Sequence, residues 1–115
     1  MNIKELNEYQ RTLVLVCGAD AINMYKTNKT DIDGWFEYAK TMTVYDCIEA
    51  AKAYKKYLKE SLIPECDKRM REYCRTEEKY MGVYDYDYWY GIKEKALDTT
   101  IPAIDRYIKK WSKEA

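Results

Sequence analysis

The sequence predicts an all-α fold, a compact bundle of five or six helices forming one domain over residues 1–115. Three observations lead there. Apolar residues recur at spacings of three and four through most of the chain. Helix-capping side chains stand just ahead of those periodic stretches. A chain of 115 residues has the length of one domain and can bury a core without a metal or a disulfide.

The first helix is expected from Ile3 to Tyr25, with Asn2 and Glu5 as a capping box. Leu6, Gln10, Leu13, Cys17, Ala21 and Met24 track one face, interrupted only at Gln10. The run Leu13–Val16 also fits a buried strand, and the helical pattern on either side decides for helix. Residues 27–30 are polar and read as a loop. Thr30 or Asp31 caps a short second helix, Ile32 to Met42, carrying Trp35, Phe36 and Ala39.

Thr43 with Asp46 caps a third helix, Val44 to Leu62. At about 100° per residue, Val44, Cys47, Ala51, Tyr54, Leu58 and Leu62 share one arc. Lys52, Lys55, Lys56 and Lys59 share another, with Tyr45 among them. Pro64 suits the first turn of a fourth helix, which runs to Met81 with Gly82 as its C-cap. Its apolar stripe is thin (Met70, Tyr73, Cys74 and Met81), and Glu65/Arg69 and Asp67/Arg71 stand at the favourable i,i+4 order.

The segment Tyr84-Asp85-Tyr86-Asp87-Tyr88-Trp89-Tyr90 alternates with period two, a strand signature. A lone strand has no partner, so the favoured reading is a loop through Asp85. Asp87 then caps a fifth helix, Tyr88 to Asp98, with Trp89, Ile92, Ala96 and Leu97 facing inward. Thr99 or Thr100 caps a sixth helix with Pro102 in its first turn and Ile101, Ile104, Ile108 and Trp111 on its core face.

Composition closes off several chemistries. The chain has no His, which removes Ser-His-Asp and Cys-His hydrolysis and the His-based zinc and di-iron sites. Its four glycines are isolated, so neither a dinucleotide-binding nor a P-loop fingerprint is present. Twenty basic and twenty acidic residues balance. That balance speaks against a bulk DNA binder and against an acidic nucleic-acid mimic. The expectation is no catalytic residue, no metal and no cofactor.

Cys17, Cys47, Cys66 and Cys74 contain no C-x-x-C pair. Cys66 and Cys74 on one helix would stand about 12 Å apart, too far for a disulfide. They read as reduced, buried thiols. Asp31/Asp33 and Asp85/Asp87 read as caps or turn residues rather than cation ligands. The N-terminus lacks a basic and then apolar leader, and the longest apolar run is Leu13 to Cys17, so a cytoplasmic protein with no membrane contact is expected.

Two surfaces remain. The chain carries 13 Tyr against one Phe, and four of those Tyr fall within residues 84–90 beside a Trp. Tyr and Trp offer large rigid contact area with a polar handle. Asp85 and Asp87 would repel phosphate, so a protein or nucleoprotein partner offering Lys or Arg suits this patch. The expected function is therefore a stand-alone binder, adaptor or inhibitor, of the sort found among bacterial or phage accessory proteins, and a homodimer is compatible with it. The first alternative is nucleic-acid contact through Lys52, Lys55, Lys56 and Lys59. Arg69, Arg71 and Arg75 are largely offset by neighbouring acids. The second alternative is a small enzyme working with carboxylates or a thiol activated without His.

Overall fold

The computed structural model describes residues 2–27, 34–74 and 79–114, the side chains of 27, 73, 74 and 79–85 excepted. The fold is an all-α bundle, and no strand occurs among the described residues. Residues 13–16 are helical, as the pattern on either side predicts.

Asn2 caps only a 3-10 turn, Ile3–Glu5, by accepting from the Lys4 amide at 3.0 Å. The long first helix is instead two helices. Helix α1 spans Glu8–Cys17 and α2 spans Ala19–Thr27. Gly18 parts them at φ 79°, ψ 175°, a region essentially closed to residues with a Cβ. Gln10, the polar break in the apolar face, is buried and fully employed. It accepts from the Asn7 amide at 2.9 Å and donates to the carbonyls of Lys40 and Met42 at 3.2 and 2.8 Å. It thereby ties α1 to the segment ahead of the next long helix.

Helix α3 is short, Trp35–Ala39, and buries Phe36 and Ala39. The expected caps Thr30 and Asp31, with Asp33, lie outside the described residues. Helix α4, Val44–Tyr57, opens on the predicted box: Thr43 Oγ1 accepts from the Asp46 amide and Asp46 Oδ2 accepts from the Thr43 amide, both at 3.1 Å. The predicted arc is its inner face. Cys47, Ala51 and Leu58 are buried there, and Tyr54 and Leu62 pack at the edge.

The prolines do not start new helices. Helix α4 continues through a π-helical stretch, Leu58–Leu62, into α5, Ile63–Cys74. Helix α6, Lys79–Lys95, continues through a second such stretch, Ala96–Thr100, into α7, Ile101–Trp111. In each, the bond before the proline skips one residue: Ile63 donates to Leu58, and Ile101 to Ala96. Proline lacks an N–H and its ring crowds the carbonyl four residues back. A π turn shifts the ladder by one residue and lets the helix pass. Thr100 is accordingly helical and caps nothing. Gly82 and Asp87 sit inside α6 rather than at a C-cap and an N-cap, and residues 84–90 are helical, neither loop nor strand.

The core gathers Leu6, Leu13, Ile22, Phe36, Cys47, Leu58, Ile101, Ile104 and Tyr107 from the end of the 3-10 turn, α1–α4, the first π turn and α7. Among the described residues it takes none from 59–95 beyond the edge residues Leu62 and Ile63. Helices α5 and α6 pack chiefly along each other, as a two-helix arm. With this arm the molecule measures 52 × 29 × 22 Å.

Candidate functional site

The arm carries the Tyr/Trp segment. Its interior is narrow. Cys66 and Met70 of α5 are buried there. Lys93 of α6 reaches Asp67 of α5 at 2.6 Å. This replaces the Asp67/Arg71 pairing expected within α5, because the facing helix brings a cation closer. The predicted Glu65–Arg69 pair forms at 2.8 Å. The Asp67 carboxylate holds the Lys93 ammonium above its ordinary range, against a smaller opposing effect of desolvation. Arg69 lies over the Trp89 ring, 5.8 Å from its centroid.

Helical geometry divides residues 86–90 between inner and outer sides. Trp89 and Tyr86 are half-buried. Asp87, Tyr88 and Tyr90 are exposed, Tyr88 at 63% and Tyr90 at 48%. Tyr86 and Tyr90, one turn apart, stack with ring centroids 6.3 Å apart and an interplanar angle of 9°. Tyr88 meets Trp89 edge to face at 5.3 Å. Tyr84 and Asp85 belong to α6, but their side chains lie outside the described residues.

Leu97, expected to face inward, is 46% exposed. Seven residues is close to two helical turns, so Leu97 continues the side of Tyr90. The expected inner face holds for Trp89, Ile92 and Ala96, which are half-buried, half-buried and buried, and Leu97 alone falls outside it.

The lysine arc forms a second surface. Lys52, Lys55, Lys56 and Lys59 line one side of a groove of about 530 Å³, and Asp105, Ile108 and Lys109 of α7 line the other, with Glu60 at its end. Lys55 bridges the two helices to Asp105 at 2.5 Å. Lys109 joins from a helix some fifty positions away, which no local pattern foretells. Tyr45 is exposed but does not line this groove.

Burial pushes the Cys17 thiol up to about 12 and the Cys47 thiol up to about 11, and raises Cys66 as well. These three remain protonated at neutral pH and are poor nucleophiles. Among the described residues no three His, Cys, Asp or Glu side chains gather as metal ligands, and no helix is long and apolar enough to cross a membrane.

Comparison with known proteins finds no matching family model, no matching curated protein and no matching solved structure.

Proposed function

We propose that this chain is a non-catalytic interaction domain, a binder, adaptor or inhibitor of a larger macromolecule, and that it meets a protein partner with the outward side of α6. The supporting observation is the exposure of Tyr88 and Tyr90 on an arm whose other side is already closed by Trp89, Cys66 and Met70. Stacking against Tyr86 limits the freedom of the Tyr90 ring, so less entropy is lost on contact. Leu97 extends the Tyr86–Tyr90 side, and Asp87 lies between that side and Tyr88, which stands about 160° round the helix from Tyr90. A partner presenting Arg suits this surface, since guanidinium stacks on Tyr rings and pairs with carboxylate.

The test separates contact from folding. Tyr88→Ala with Tyr90→Ala removes only exposed rings, whereas Trp89→Ala would also open the arm. In pull-downs from the native host, the double variant is expected to lose a protein that the wild type and a Tyr45→Ala control both retain. Equal recovery by a folded double variant overturns the reading.

A further inference from the structure

We propose that the groove between α4 and α7 seats the phosphate backbone of duplex nucleic acid. It is a second site, independent of the α6 surface. Five lysines line it against two carboxylates, in a chain whose total charge is zero. The charge is therefore sorted in space although it cancels in sum. Asp105 is engaged by Lys55 at 2.5 Å, and Lys52 leans toward Glu49 at 3.6 Å. Among the described residues, Lys56, Lys59 and Lys109 have no ion-pair partner, so three unpaired cations face the groove against the single Glu60 carboxylate at its end.

Their layout favours a chain of phosphates over one small anion. Lys52, Lys56 and Lys59 climb α4 and the π turn that continues it at intervals of about one turn and span about 10 Å. The lining holds no Arg fork, and ammonium groups act as point charges that neutralise phosphate without reading bases. It also holds no aromatic ring, so unpaired bases find nothing to stack on. A paired strand, offering only its backbone, meets both conditions. Binding is accordingly independent of sequence.

Fluorescence anisotropy with a labelled duplex of about 20 base pairs, and with its single strand, tests this. Three neutralised phosphates give a log–log salt slope near −2.7, so affinity is expected to fall about fortyfold between 50 and 200 mM salt. Replacing Lys56, Lys59 and Lys109 with Gln is expected to flatten that slope, with the fold checked by circular dichroism. Lys68→Gln with Arg71→Gln, on the arm, is expected to leave it unchanged. No duplex binding at 50 mM salt overturns the proposal. So does wild-type binding by a folded groove variant, or tighter binding of the single strand than of the duplex.

Discussion

The Tyr107 hydroxyl donates a 2.6 Å hydrogen bond to the backbone carbonyl of Tyr9, joining the last helix to the first across 98 positions. The Trp111 ring meets Tyr9 edge to face at 5.8 Å beside it. Tyr107 itself is buried in the core. Tyr107→Phe keeps the ring and removes the donor. A loss of about 1 kcal/mol is expected, read as a lower urea midpoint with an unchanged m-value.

Gly18 supplies a test of backbone alone. A Cβ there would meet nothing within 4 Å, so space is not limiting. Its φ of 79° with ψ of 175° is the obstacle. Gly18→Ala is expected to cost about 1–3 kcal/mol. Thermal melts of the two proteins measure it, and an unchanged melting temperature would show that the break between α1 and α2 is not needed.

Alkaline pH should unfold the bundle progressively. Burial pushes the hydroxyls of Tyr54 and Tyr25 to about 12 from an ordinary 10.0, with Asp46 adding to the effect at Tyr25. Cys17 and Cys47 move to about 12 and about 11 from 9.0. All four hold their protons more tightly folded than unfolded. Below pH 9.0 their contribution is complete, and between 9.0 and about 12 the unfolded chain releases protons first, so stability falls as pH rises. Urea midpoints are expected to be level up to about pH 8 and then to decline.

The arm should open before the bundle does. It rests on a narrow interior and on the Asp67–Lys93 bridge, whose side chains are about one-third exposed. Amide exchange in α5 and α6 is expected to be faster than in α4 and α7. Asp67→Asn should speed it further in the arm while leaving Leu13 and Ile104 protected. Uniform acceleration across the chain would mean that arm and bundle unfold together.

Thiol chemistry offers a quick check on packing. In a Cys74→Ser background, Cys17, Cys47 and Cys66 are expected to react slowly with an aromatic disulfide reagent at neutral pH, and rapidly in denaturant. Prompt labelling in the folded protein would contradict their burial.

Local chemistry carried much of the architecture. The Thr43–Asp46 box, the α4 wheel and the isoleucine spacing of α7 depend on residues within a few turns, and each was legible. The prolines misled because their usual meaning, a helix start, holds only when the ladder keeps its α register. Gly18 was silent because an isolated glycine in a periodic stretch is tolerated inside a helix. At the sites, the Tyr segment and the lysines at 52, 55, 56 and 59 stood out as composition. Their division into faces depended on helix phase, and Lys109 depended on tertiary pairing.

The two π turns line the same cleft through Leu58, Leu62, Ala96 and Thr100, where the arm leaves the bundle. Each adds one residue to its helix and so rotates everything beyond it by about 100°. The first rotation sets which side α5 turns to α6, and the second sets which side α6 turns to α5. The surplus residues are therefore matched like complementary insertions in a gene. Deleting one, for instance Ser61, would misalign the arm, and deleting its counterpart, Thr99, would bring the two helices back into step.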